Sequence, residues 1–166
     1  MAGETARAVA LLDEAEPRLT EAGRSVDLLE VWLLRVRLAT RDHNWERVET
    51  IGERLLGALP PPAPGMVSDE RMVAEAFAAL GRAMRTRNPE DAARARRAAE
   101  ALLAQDDVVA FFRASAALAA AVAADASGDA TSANSLRERA IAALALNMPQ
   151  AEASALWDRW WPTAPP

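Results

Sequence analysis

The chain contains no cysteine, and this absence excludes disulfide bonds, thiolate metal sites and a cysteine nucleophile. Aromatic residues make up only 5% of the 166 residues, whereas 51% are hydrophobic, and alanine is the commonest of these. Alanine is the strongest helix former, while sheets are enriched in aromatic and β-branched residues. The composition therefore predicts an all-α protein, and the length is that of one ordinary domain.

Lysine is also absent, so all 19 basic residues are arginine, and 24 acidic residues give a net charge of −5. A negative chain is a poor general binder of polyanions, so we expect no directly bound nucleic acid. No apolar run reaches the roughly 18 residues of a membrane span, and the start of the chain lacks the successive regions of a signal peptide. We therefore expect a cytoplasmic protein without a membrane partner.

Turn-forming pairs recur along the chain at a nearly regular spacing. These pairs are Gly3-Glu4, His43-Asn44, Asn88-Pro89 and Gly128-Asp129. Alignment on Glu4, Asn44, Asn88 and Asp129 gives spacings of 40, 44 and 41 residues. In each block a small or apolar residue follows four positions after the aligned residue, and another lies seven positions further. The period of about 42 residues predicts repeated units of helix A, a tight turn and helix B.

The local signals place eight helices along the chain. The predicted ranges are 4–19, 25–42, 45–58, 68–86, 89–104, 107–126, 130–146 and 150–161. Ser68 is a suitable N-cap and Pro89 suits the first turn of a helix, whereas the proline-rich residues 60–67 predict an extended connection. We expect one domain over residues 1–161 and a disordered tail over residues 162–166.

The repeat pattern also predicts a core between the helices. Its expected members are Trp32, Val36, Ala39, Val48, Leu55, Phe77, Leu80, Gly81, Ala133 and Ala140. Gly81 and Ala133 are expected at close helix crossings, where a larger side chain would overpack.

Residues 29–60 resemble the tetratricopeptide repeat family. The matching positions are Trp32, Val36, Ala39, Asn44, Trp45, Val48, Leu55, Leu56 and Pro60. Residues 77–81, with the sequence Phe-Ala-Ala-Leu-Gly, are similar to the same helix A signature. The period exceeds the family's usual 34 residues. It is closer to the helical repeat region of MalT-type bacterial transcription activators, which residues 21–35 and 44–56 also resemble.

This resemblance implies a right-handed solenoid of antiparallel helix pairs, and a protein- or peptide-binding module of a bacterial regulatory or signalling system. Two alternatives stay open. One is a homo-oligomeric scaffold, and the other is a small-molecule sensor of the MalT type. Neither an ATPase signature nor a helix-turn-helix DNA-binding segment accompanies the repeats in the sequence.

The sequence offers little for catalysis. His43 is the only histidine, and it falls in a predicted turn, where a solvated side chain is the usual outcome. Asp106 and Asp107 suit the capped start of the next helix better than a metal site. The glycines are too dispersed for a phosphate-binding loop. We expect no enzymatic activity, no cofactor and no metal site.

The family's geometry would place a set of helix A side chains on an inner groove. They are Glu30, Leu33, Arg37, Arg41, Glu75, Ala78, Arg82, Arg85, Ser115, Leu118, Val122 and Asp125. The four arginines of this set would form a strip suited to the carboxylates of an acidic peptide. The alternative is that they pair with neighbouring glutamates and only solvate the face. Aligning the second unit on Gly81 instead of Asn88 rotates Arg82 by about 100°.

Three of the five tryptophans lie near the end of the chain, at Trp157, Trp160 and Trp161. Spacings of three and four residues place them on one broad helix face. One interpretation is a capping helix whose tryptophans cover helix 130–146. The other is an exposed interface for a partner or for a homodimer, because tryptophan is a preferred anchor at interfaces.

Overall fold

The computed structural model describes residues 2–23, 25–61, 68–105 and 108–161. Within these ranges there are eight α-helices and no strand, which confirms the predicted all-α class. The helices are α1 (Ala2–Glu21), α2 (Ser25–Arg41), α3 (Trp45–Ala58), α4 (Asp69–Thr86), α5 (Pro89–Leu103), α6 (Ala110–Ala126), α7 (Ala130–Leu144) and α8 (Gln150–Trp160). Most of the extended connection, Asp106, Asp107 and the tail at 162–166 lie outside the described residues.

Side-chain caps fix the starts of four helices. Asn44 accepts a hydrogen bond from the backbone N–H of Arg47, and Asp129 accepts one from that of Ser132. Asn88 and Ser68 cap α5 and α4 in the same manner, and Pro89 occupies the first turn of α5. Each cap accepts a hydrogen bond from a backbone N–H that has no partner within its helix. These polar residues therefore define where each helix begins.

The aligned turns also share one backbone conformation. In the turns that end at Asn44, Asn88 and Asp129, the residue before the capping residue has a positive φ. This angle is 55° at His43, 56° at Arg87 and 77° at Gly128. The backbone N–H of Asn44 donates to the carbonyl of Ala39 at 2.9 Å. The backbone N–H of Asp129 makes the same hydrogen bond to the carbonyl of Ala124, also at 2.9 Å. The turns at His43-Asn44 and Gly128-Asp129 are therefore equivalent, as the repeat alignment predicts, whereas the turn before Asn88 is one residue shorter. The predicted turn at Gly3-Glu4 is wrong, because both residues lie within α1.

Replacing Arg87 with glycine is expected to raise the free energy of unfolding by about 1 kcal/mol, because a left-handed conformation costs a residue with a Cβ atom roughly that much. Arg87 is exposed, so little packing is lost. Chemical denaturation of Arg87→Gly against Arg87→Ala measures the effect, since the alanine variant keeps the backbone penalty. Equal stabilities of the two variants would contradict this explanation.

A close helix crossing joins α3 to α4 through two glycines. A Cβ atom added at Gly81 would lie 2.7 Å from the Cα of Glu49, and one added at Gly52 would lie 2.7 Å from the Cα of Ala78. The two contacts run in opposite directions along the chain, so the helices are antiparallel. The close crossing predicted at Gly81 is confirmed, whereas its counterpart at Gly52 was not anticipated.

Helix α6 lies at the centre of the core, and its residues from Ala114 to Ala124 are all buried. Eight of the ten predicted core residues are buried: Val36, Ala39, Val48, Leu55, Phe77, Leu80, Gly81 and Ala140. The prediction was wrong for the other two, which are only half-buried. Trp32 stays near the surface because its indole N–H donates to the Glu16 carboxylate at 3.1 Å. Ala133 lies in the first turn of α7, next to solvent.

Consecutive helices pack on one another from α1 to α8, and α4 also packs against α6. Helix α8 packs on α7 and returns to α2, six helices earlier in the chain. This return brings the C-terminal tryptophans onto the second helix. In the part of the chain that the structure describes, every helix is too short or too polar to cross a lipid bilayer.

Candidate functional site

The tryptophans of α8 face the chain itself. Trp157 and Trp160 are buried, with 1% and 8% of their surface exposed. Trp160 makes an edge contact with Phe111 at 5.8 Å between ring centroids, and Trp161 lies 5.2 Å from the His43 ring. The three residues share one face as predicted, but the expected exposed interface is wrong for Trp157 and Trp160, because their face packs onto α2, the start of α6 and α7.

Arg37 is covered by the same aromatic residues. Its guanidinium carbon lies 3.9 Å from the centroid of the Phe111 ring and 4.7 Å from that of Trp160. Only 3% of Arg37 is exposed, so this residue lines no open groove, in contrast to the prediction. A cation over an aromatic face is stabilised by about 0.5–2 kcal/mol, more as it is desolvated. The aromatic rings thus compensate part of the cost of burying this charge.

The buried guanidinium of Arg37 keeps unused hydrogen-bond donors. Its Nε and Nη2 atoms are both buried and have no partner, and the same is true of the indole nitrogen of Trp157. Burial lowers the pKa of Arg37 to about 9, while the charge of Glu30 acts in the opposite direction. Arg37 is therefore a cation at neutral pH, with two donors on one edge that nothing in the described chain satisfies.

The other predicted groove arginines have different surroundings. Arg82 donates to Glu49 at 3.2 Å and to Glu53 at 2.7 Å, and Arg85 donates to Glu49 at 2.9 Å. The hydrogen bond from Arg85 lowers the pKa of Glu49. Arg82 acts in the same direction, and desolvation acts in the opposite one. These arginines lie at the α3–α4 crossing and not beside Arg37. The structure therefore does not bring the four arginines into one strip, and it favours neutralisation by neighbouring glutamates for this pair.

The register of α4 explains this placement. Ala78 and Gly81 face α3, so Arg82 and Arg85, on the adjoining surface of the helix, reach the carboxylates of α3. The alignment on Asn88 gives the correct turn but does not give the rotation of the helix about its own axis. The prediction that Ala78 and Arg82 line the groove is therefore corrected.

The remaining predicted groove residues divide between core and surface. Leu33 and Leu118 belong to the core, with 1% and 0% exposed, so the prediction that they line the groove was wrong. Glu30 is exposed, and Glu75 pairs with Arg94 at 2.6 Å. Of the others, Ser115 and Val122 are buried, Asp125 is exposed, and Arg41 is half-buried with its Nε 3.5 Å from Asp42.

Phe111 is the residue of this candidate site that the sequence did not reveal. The chain has three phenylalanines, and two of them, Phe111 and Phe112, are adjacent at the start of a helix. In a chain with so few aromatic residues, that pair was the available signal. Its contact with Arg37 depends on how α2 and α6 approach each other in space, which the pattern of either helix alone does not define.

An open depression of about 520 Å³ lies between α4 and α5. Its lining consists of Met72, Glu75, Glu90, Asp91, Arg94, Arg97 and Ala98. Small-molecule sites are usually concave and mostly apolar, with few polar groups, whereas charges of both signs dominate this surface. The depression gives no support to the alternative of a small-molecule sensor. Among the described residues, no three histidine or acidic side chains are grouped so as to hold a metal ion.

The face under α8 therefore combines aromatic rings, a buried cation and hydrogen-bond donors without a partner among the described residues. Comparison with family models, with curated proteins and with solved structures gives no match for this chain.

Proposed function

We propose that this chain is a single-domain protein- or peptide-binding module, built as a TPR-like right-handed array of helix pairs, whose partner is an amphipathic helix with aromatic anchors. The observation that carries the proposal is the position of α8. This helix packs on α7 and returns to α2, and of its two buried tryptophans Trp160 lies against Arg37 and Phe111. Docking of an amphipathic helix into a groove is a recurrent mode of peptide recognition.

The docking of α8 has the features of an exchangeable contact. The helix has only 11 residues, and an isolated helix of that length is marginal in water, so packing supplies most of its stability. Its buried residues are Ala153, Trp157 and Trp160. Tryptophan dominates binding energies at interfaces when it fills a closed pocket. An external helix with an aromatic anchor equivalent to Trp157 has the chemistry needed to replace α8.

The setting of this activity is also part of the proposal. A cytoplasmic regulatory or signalling system of a bacterium is what the resemblance to MalT-type activators implies. The module then acts by binding and not by catalysis.

A peptide of residues 148–161 tests the proposed function. The probe carries a fluorophore at its N-terminus and is titrated into the full chain and into a Trp157→Ala, Trp160→Ala double variant. We expect micromolar binding to the double variant, and binding at least tenfold weaker to the unmodified chain, because a tethered helix competes at an effective concentration of about millimolar. Fluorescence anisotropy measures both affinities.

The matched control peptide has alanine in place of both buried tryptophans and is expected not to bind. Circular dichroism establishes that the double variant keeps its helical content. If the unmodified peptide fails to bind a double variant that is fully helical, the proposed function is wrong.

A further inference from the structure

Helix α8 supplies no hydrogen-bond acceptor to the buried guanidinium of Arg37. Leaving a buried donor without an acceptor destabilises a structure, and more so when the group is charged. Arg37 has two such donors, Nε and Nη2, each with almost no exposed surface. Helix α8 covers them with the ring of Trp160 and supplies no acceptor to either.

The two nitrogens have a particular geometry. Nε and Nη2 form one edge of the planar guanidinium, and this edge matches the spacing of two carboxylate oxygens, so that a carboxylate accepts both hydrogen bonds at once. The guanidinium lies against the ring of Phe111 in the central helix α6 and against that of Trp160 in the terminal helix α8. A carboxylate would therefore reach this edge as part of whatever takes the place of α8. The neighbouring charge of Glu30 is exposed and does not bond to either nitrogen.

The acidic side chains of α8 itself are directed elsewhere. Asp158 accepts a hydrogen bond from Arg137 of α7 at 2.8 Å, and Glu152 is exposed at the start of the helix. The residue over the guanidinium is Trp160, whose face attracts the cation but offers no oxygen. The charge of the face is therefore only partly compensated when α8 occupies it.

We propose that the partner helix carries an aspartate or glutamate at the position equivalent to Trp160, one turn after its aromatic anchor, and that this carboxylate forms a two-bond ion pair with Arg37. This inference rests on the proposed function and adds the chemistry of the partner. It also makes the external helix a better occupant than α8, because the partner supplies the acceptors that α8 lacks.

Two peptides separate this carboxylate from the general shape of the helix. Both have the sequence of residues 148–161, one with Trp160→Glu and the other with Trp160→Gln. Glutamate and glutamine have similar helix propensities, and both peptides lose the same ring, so the difference between them isolates the charge. Each is titrated into the Trp157→Ala, Trp160→Ala chain with Arg37 intact, and into the same chain with Arg37→Met.

We expect the glutamate peptide to bind the Arg37 chain at least tenfold more tightly than the glutamine peptide, and the difference to disappear with Arg37→Met. Arg37→Lys keeps the charge without the two-nitrogen edge, so it should keep less than about a third of the preference. The lysine variant also secures the test if the methionine variant folds poorly, which circular dichroism would reveal.

The failures of the two proposals are distinguishable. If the peptide with both tryptophans binds but the glutamate and glutamine peptides have equal affinities, the carboxylate inference is overturned while the proposed function stands. A preference for glutamate that persists with Arg37→Met overturns it as well, because the charge then acts through another group. If no peptide binds, both proposals are wrong.

Discussion

Gly81→Ala is expected to lower the free energy of unfolding by about 2 kcal/mol, although alanine is favoured over glycine within a helix by about 1 kcal/mol. The added methyl group would lie 2.7 Å from the Cα of Glu49 and so would overlap the backbone of α3. A helix backbone gives way less easily than the end of a flexible side chain, so α3 and α4 must separate. Their separation also pulls Glu49 away from Arg82 and Arg85.

Gly57→Ala is the matched control. Gly57 also lies within α3, but a Cβ atom at this position meets nothing within 4 Å. Its replacement should raise the free energy of unfolding by about 0.5–1 kcal/mol through helix propensity alone. Urea denaturation followed by circular dichroism measures both variants. If Gly81→Ala is as stable as Gly57→Ala, the two helices do not cross at this distance.

Raising the pH from about 8.5 to about 10.5 is expected to increase the free energy of unfolding by about 2 kcal/mol. Burial holds the folded pKa of Arg37, about 9, well below the ordinary value of an arginine. Between these two values the unfolded chain binds one more proton than the folded chain, so stability rises with pH. In physical terms, the cost of burying the cation is present in full at neutral pH and is relieved as the guanidinium loses its proton.

The composition of the chain lets this measurement report on Arg37 alone among the side chains. The chain has no lysine, tyrosine or cysteine, so no other side chain has an ordinary pKa between about 8 and 12. Arg37→Met is the control, and its stability should stay level over the same range. It should also be more stable than the unmodified chain at pH 7, since it buries no charge. If the free energy of unfolding of the unmodified chain does not change over this pH range, Arg37 is solvated and not buried.

The helices and turns were predictable because their determinants are local. A capping side chain and the left-handed residue before it are adjacent in sequence, so the pairs at His43-Asn44 and Gly128-Asp129 define their turns without reference to the rest of the chain. The close crossing at Gly81 was predictable from its place in the repeat. These features follow from a few neighbouring residues, and the structure agrees with the sequence at each of them.

The surroundings of the arginines were not predictable in the same way. Arg37 and Trp160 are separated by most of the chain, and their contact depends on the combined rotation and tilt of the five helices between α2 and α8. Likewise, Glu49 reaches Arg82 and Arg85 only because two glycines bring α3 and α4 together. A helix pattern identifies the polar face of one helix, but it does not say which neighbour that face meets.

The contact between α2 and α8 affects local unfolding at both ends of the helix array. In an open stack of repeats, each unit touches only its neighbours, so either end frays independently and stability propagates along one dimension. Here the last helix is joined to the second, and the array is closed into a loop. Loosening of the N-terminal helices therefore weakens the hold on α8, and departure of α8 removes support from α2. The two ends are therefore coupled through their own contact, in addition to the path through the helices between them.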